Sequence, residues 1–217
     1  MLLYPIRGYN MKKHDIRINR KLLHPRLDRK LQKLLDACAK QGIYLIITEG
    51  FRTKEYQDKL YAKGRTAPGN IVTNAKGSSY SSQHMWGIAF DIAINDSSLL
   101  YNSKYIQRVA NIAKSKDIDL GWGGDWKSFK DTPHFYLKTW GSTVTKLKNK
   151  YGTPDNFIKT WVKTVTKPIP FWKDKNKTTN MGSIGIGKSV QILSTKSWYA
   201  FIKYNNKYGY VTKKYIK

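Results

Sequence analysis

The feature that most constrains this chain is a change of hydrophobic rhythm near Tyr151, which separates a part built from helices and strands from a part built from short strands alone. Before that point Leu27, Leu31, Leu34, Leu35 and Cys38 recur at helical spacing, and Gly42 stands where a C-terminal cap belongs. One amphipathic helix is expected there, with Cys38 as a small buried hydrophobe on its apolar stripe. IYLIIT (43–48) reads as a buried strand, and a second helix is expected from about Lys54 to Lys63 behind the N-cap candidate Thr53. The Gly, Ser, Asn and Pro residues between Gly64 and Gln83 mark a long loop, and loops of that length in compact domains are often functional. GIAFDIAI (87–94) reads as a strand, residues 103–116 as a helix with Ile106, Val109, Ala110 and Ala113 inward, and HFYLK (134–138) as a last strand.

This pattern implies an α+β domain, a small antiparallel sheet with flanking helices. After Tyr151 helical signals fade, and FWKD, KSVQILS, WYAFIKY and KYGYVTKKYI look like short strands between polar turns, the signature of a small all-β barrel. The expected division is a first domain over residues 1–150, a linker over 151–166 and a second domain over 167–217.

Composition narrows the chemistry. Cys38 is the only cysteine in the 217 residues, so an internal disulfide and a multi-thiolate metal site are both excluded, and any metal must use His and carboxylate ligands. No apolar run approaches the roughly 18 residues of a membrane helix. The opening MLLYPIRGYNMKK interrupts its apolar residues with Pro5 and Arg7, and a restart at Met11 gives only polar residues, so no export signal is expected. Forty Lys and Arg against fourteen Asp and Glu give a net charge of +26, which implies polyanionic surroundings, nucleic acid or cell wall alike. Residues 167–217 carry eleven lysines and one aspartate, so both parts of the chain are basic.

Two of the four histidines fall in composite motifs: Ser82, His84, Gly87, Ala89 and Asp91 within SSQHMWGIAFDI, and Asp131 and His134 within DTPHFYL. His, Asp and His are the ligand types of a catalytic metal site that keeps an open position. A straight strand would place His84 and Asp91 on opposite faces, so the chain must bend between them, and Gly87 is best able to allow it. Spacing alone leaves a structural role for these residues equally open.

The pattern SxHxxGxAxD followed by a PHF segment resembles the zinc peptidases that include D-alanyl-D-alanine carboxypeptidases and dipeptidases and the L-alanyl-D-glutamate endopeptidases of phage endolysins. EGFRTKEYQDKLYAKGRTAPGNIVTNAKG (49–77) and GWGGDWKSFKDTPHF (121–135) look like the endopeptidase branch, so the similarity spans roughly residues 20–140. The resemblance implies that His84, Asp91 and His134 bind Zn2+, that Asp131 is the general base and that Arg52 stabilises the developing oxyanion. Asp125 is the alternative base; Ser82 is expected to support the site, and Gln57, Tyr61 and Trp122 to line the cleft or pack. His14 and His24 match nothing in the motif and read as structural or exposed.

Residues 167–217 resemble bacterial SH3 domains that bind cell walls, most clearly in WYAFIKYNNKYGYV closing with KKYI. Together the two resemblances imply an endolysin made in the host cytoplasm and released by a holin. Its expected partners are peptidoglycan and anionic wall polymers, with no specific nucleic acid. The competing expectations are a D-alanyl-D-alanine carboxypeptidase or dipeptidase, and a basic wall-binding protein without activity.

Overall fold

The computed structural model describes residues 13–217; the N-terminal segment weighed as an export signal lies outside them. Two sheets organise the chain. The first has the strand order β1-β2-β3-β5-β4, built from β1 (Asp15–Ile16), β2 (Leu45–Glu49), β3 (Ala89–Ile94), β4 (Leu120–Trp122) and β5 (His134–Leu137). The two-residue β1 runs parallel to β2, so the sheet is mixed, in contrast to the purely antiparallel sheet the sequence suggests; the other pairings are antiparallel.

Helix α1 (Pro25–Ala39) shows why this sequence folds as it does. Pro25 sits at the first helical position, where its missing N–H costs nothing, and His24 Nδ1 accepts from the Arg26 amide as the N-cap. Leu27, Leu31, Leu34, Leu35 and Cys38 are buried on one face, each leucine contributing about 1.5–3 kcal/mol of burial. Helix α2 (Lys54–Ala62), capped by Thr53, follows β2, and against the α1 stripe pack Ile106, Val109, Ala110 and Ala113 of α3 (Ser103–Ala113) and the inner face of the sheet. The Cys38 thiol is pushed up to about 12 by burial, consistent with an inert core residue.

The segment expected as a linker is ordered. α4 (Thr145–Tyr151) leads into α5 (Pro154–Trp161), capped by Thr153 and opened by Pro154, and the buried Phe157 and Trp161 of α5 join the first core. There they enclose His24, whose ring stacks on Phe157 and meets Trp140 and Trp161 edge-on. Burial, with the charge of Arg26 behind it, pushes the His24 imidazole down to about 3.

β6 (Val162–Thr164) follows α5 directly and opens the second sheet, with β7 (Ile169–Trp172), β8 (Asn180–Ile184), β9 (Ser189–Thr195), β10 (Tyr199–Tyr204) and β11 (Lys207–Thr212). Its order is β6-β9-β10-β11-β7-β8, all pairings antiparallel, with β6 and β8 at the edges. Among the described residues it is a six-stranded sheet without the closing ladder of a barrel. Asn205 and Asn206, both at positive φ (46° and 61°), make the tight β10–β11 hairpin turn. Val165, Ile169, Phe171, Ile184, Val190, Ala200, Ile202 and Val211 form a separate core.

The two units meet along α1. Asp28, 1% exposed, receives Arg20 from its own unit and Lys203 and Tyr208 from the second sheet, with Lys203 Nζ 2.7 Å from the carboxylate. Burial alone would raise Asp28, but the hydrogen bonds from Arg20, Lys203 and Tyr208 outweigh it and hold the carboxyl below its usual range. Arg26 Nε donates to the Leu193 carbonyl (3.0 Å) and Gln191 Nε2 to the Lys21 carbonyl (2.6 Å), tying both sides of the junction.

Candidate metal centre

Strand register assembles the first part of the site. Asp91 on β3 is the cross-strand partner of Glu49 on β2 and of His134 on β5, so three polar side chains form one row across the middle of the sheet. His84 arrives by a different route. It lies in the 3-10 turn Gln83–Trp86, closed by Gly87 in the left-handed region (φ 64°), and the chain reverses there into β3. A side chain at Gly87 would meet the Leu22 carbonyl oxygen at 2.8 Å, so the bend requires glycine on both conformational and steric grounds. This is the bend that the His84–Asp91 spacing demands.

Three ligand atoms converge. His84 Nε2 lies 3.2 Å from Asp91 Oδ1 and 3.2 Å from His134 Nδ1, and His134 Nδ1 lies 2.9 Å from Asp91 Oδ1. The remote nitrogen of each imidazole is already engaged. His84 Nδ1 donates to the Gly50 carbonyl at 2.7 Å, and His134 Nε2 donates to Gln83 Oε1 at 2.7 Å. Gln83 is itself oriented by its Nε2, 3.4 Å from the Gly141 carbonyl. With both remote nitrogens protonated, the inner ones present lone pairs, and two lone pairs and a carboxylate facing one another need a cation between them. A tetrahedral ion with bonds of about 2.0–2.2 Å sets its ligand atoms about 3.3 Å apart, close to the spacing found. The group fits a metal ion.

Arg52 is placed beside this cluster. Its amide donates to the His84 carbonyl (3.2 Å), while its guanidinium lies 3.4 Å from Asp91 Oδ2 and 3.2 Å from Glu49 Oε2 and donates to Gln57 Oε1 at 3.4 Å. Gln57 is fully buried and anchors the long loop, donating to Thr73 Oγ1 (3.1 Å) and the Ala75 carbonyl (2.9 Å). Tyr61 lies beneath the Arg65 guanidinium, 4.0 Å away, and lines a cavity with Asn74, Lys76, Ser79 and Ser81.

Asp131 belongs to the turn that delivers His134, whose amide donates to the Asp131 carbonyl. Burial pushes its carboxyl above the ordinary value, and its surroundings include His134, Asp91, His84 and Arg52. Asp125 does not share this setting: it is exposed and paired with Lys114 at 3.1 Å. Trp122 is buried, its Nε1 donating to the Thr132 carbonyl and so bracing the same turn. Ser82 caps the His84 turn through its backbone, with no side-chain capping bond; the supporting role expected of it falls to Gln83. Trp126, also unanticipated, stands 5.2 Å from the His134 ring. His14 bridges the Leu35 carbonyl and the Leu45 amide, a structural role like that of His24.

Comparison with known proteins gives a consistent result. The model of peptidase family M15 described as D-alanyl-D-alanine carboxypeptidase matches residues 75–137. The peptidoglycan L-alanyl-D-glutamate endopeptidase CwlK of Bacillus subtilis is 42% identical over 126 residues, 53% of this chain and 73% of its own. The L-alanyl-D-glutamate peptidase of Listeria phage A118 is 31% identical over 115 residues, 51% of this chain and 37% of its own. Among solved structures, the Serratia marcescens L-Ala D-Glu endopeptidase ChiX aligns at 23% identity over 55% of this chain and 84% of its own, with a TM-score of 0.42.

Proposed function

Because this chain belongs to peptidase family M15, we propose that it is a zinc-dependent peptidoglycan hydrolase cutting the L-alanyl-D-glutamate bond of the stem peptide. The observation that carries the reading is the convergence of His84 Nε2, Asp91 Oδ1 and His134 Nδ1 with both remote nitrogens committed as donors. His84, Asp91 and His134 would hold Zn2+, whose bound form would supply Lewis-acid polarisation of a carbonyl and acidification of water. Asp131 takes the proton released on attack and returns it to the leaving amine, a task suited to a carboxyl whose burial raises its basicity. Arg52, held by Glu49 and Asp91, offers a fixed cation to the developing oxyanion. Trp126 beside His134 and the loop anchored on Gln57 form the cleft walls.

Both curated relatives named above carry the endopeptidase activity in their names, which favours it over D-alanyl-D-alanine carboxypeptidase activity. Residues 167–217 act in this proposal as an SH3-like wall-binding domain, and the relative from a Listeria phage supports a lytic setting. Mass spectrometry of digested peptidoglycan tests the bond: new N-terminal glutamate is expected. Free D-alanine without new N-terminal glutamate would replace this assignment with a carboxypeptidase, and absence of turnover in zinc-loaded protein would leave only a binding protein.

A further inference from the structure

The solvent face of α1 repeats as regularly as its buried face. Arg26, Arg29, Lys30 and Lys33 stand at positions i, i+3, i+4 and i+7, so four cations share one stripe about 10 Å long at 1.5 Å of rise per residue. The second sheet completes this stripe as a groove. Leu193 and Ser194 of β9 and Phe201 of β10 form the opposite wall of a cavity of about 320 Å³, with Asp117 the one carboxylate in its lining.

Each cation is pinned by a contact that leaves donors over. Arg26 uses Nε on the Leu193 carbonyl, so its two terminal nitrogens remain. The Arg29 guanidinium lies 5.1 Å over the Phe201 ring, a stacking that leaves its edges open. Lys33 Nζ donates to the Asp117 carbonyl, one of its three donors, and Lys30 Nζ donates to both the Asp119 carbonyl and the Asp119 carboxylate (3.3 Å), which Lys138 shares, so one donor of Lys30 is left over. Holding long cationic side chains in place beforehand removes much of the entropic cost of closing on an anion.

We infer that this groove, built jointly by α1 and the second sheet, is a binding site for an extended phosphodiester polyanion, the polyol-phosphate polymer of a cell wall. The choice of wall polymer over nucleic acid rests on the peptidoglycan reading above; the charge ladder itself does not depend on it. Wall adhesion is then a property of the junction between the two units rather than of residues 167–217 alone.

The test uses the full chain, sedimented with sacculi that retain their polyol phosphate and with the same sacculi stripped by hydrofluoric acid, over a range of NaCl. The variant Arg26→Gln/Arg29→Gln/Lys30→Gln/Lys33→Gln is compared with Lys146→Gln/Lys159→Gln/Lys175→Gln/Lys188→Gln, an equal charge change at exposed sites elsewhere. The groove variant should bind polymer-bearing walls at least tenfold more weakly than the control. Its salt slope for purified poly(glycerol phosphate) should fall by about two to three, since each lost phosphate contact removes a little under one. Stripped walls should not distinguish the two variants. Equal loss in both variants, undiminished wild-type binding to stripped walls, or loss of duplex DNA binding with polymer binding intact would each overturn the inference. The pair Arg29→Gln/Lys33→Gln gives an independent reading with less change to the helix. Hydrolysis of a soluble stem peptide by each variant separates failure of the groove from failure of the enzymatic reading, because no groove residue belongs to the metal centre.

Discussion

At the scale of single residues, the site divides into parts that chemistry announces and parts that only folding creates. His84, Asp91 and His134 are legible because few other side chains can ligate a metal in a chain with one buried cysteine. Gln83 is not legible, since its role depends on His134, 51 positions away, and an amide before a histidine has no signature of its own. Replacing Gln83 with Leu should leave the fold intact yet weaken metal binding about 10- to 100-fold, because His134 loses the acceptor that fixes its tautomer. Competition with a chromogenic chelator reads this directly, and unchanged affinity would remove Gln83 from the site. Asp131→Asn should keep the metal and lose about 10²- to 10⁴-fold in turnover of a soluble stem peptide. Asp125→Asn, which among the described residues breaks an exposed pair with Lys114, should stay near the wild-type rate. If the two variants exchange these outcomes, the base is Asp125.

Elements were legible where a periodic apolar stripe runs for several turns, as in α1 and α3, and much less so where packing decides. β1 is two residues long and exists only through its pairing with β2, which no local pattern encodes. α5 hides a good start signal, Thr153-Pro154-Asp155, inside the segment that reads as a linker, and its burial against His24 and Trp86 makes it part of the first core. The turn at Gly87 is the opposite case, foreseen from the need to bring His84 to Asp91. Gly87→Ala should cost about 1–3 kcal/mol, seen as a lower melting temperature, because it forces an unfavourable φ and pushes a methyl against the Leu22 carbonyl. His24 gives α1 an acid sensitivity. Its folded pKa, about 3, lies below the unfolded value of 6.5, so the unfolded chain binds the extra proton and stability falls as pH drops through that window. The contribution is about 1.4 kcal/mol per pH unit. His24→Asn keeps an N-cap acceptor and should be less stable at pH 7 but flatter in stability between pH 6.5 and 5 than the wild type. Parallel slopes in chemical denaturation would mean that His24 is protonated in the folded state.

For the whole molecule, the texture changes near Tyr151, but α5 (Pro154–Trp161) still packs into the first core and the second sheet opens only with β6 at Val162. The chain passes from α5 to β6 without a free segment, and Asp28 reaches across to Lys203 and Tyr208. Two cores and one buried ionic junction were beyond the reach of composition, because Asp28 looks like any polar helix residue until the second sheet covers it. Removing residues 167–217 should leave hydrolysis of a soluble stem peptide, since every proposed catalytic residue precedes residue 140, and should reduce lysis of intact walls. It should also lower the melting temperature, as α1 loses its cover. Lys203→Met should destabilise the full chain by about 1–3 kcal/mol, since it removes one of three groups bonded to the buried Asp28 carboxylate and leaves Arg20 and Tyr208 to hold it. Calorimetry of the variant checks this, and a loss under about 1 kcal/mol would show that Arg20 and Tyr208 suffice.

The direct passage from α5 into β6 has a mechanical consequence. A hydrolase joined to its anchor by a slack tether can search every bond within the radius of that tether. Here the tether has no length, so on the proposal that the second unit binds the wall, the cutting site sits at one offset from the point of binding. Such a molecule works as a caliper, and its cuts in an ordered wall should fall at a set distance from the points of attachment.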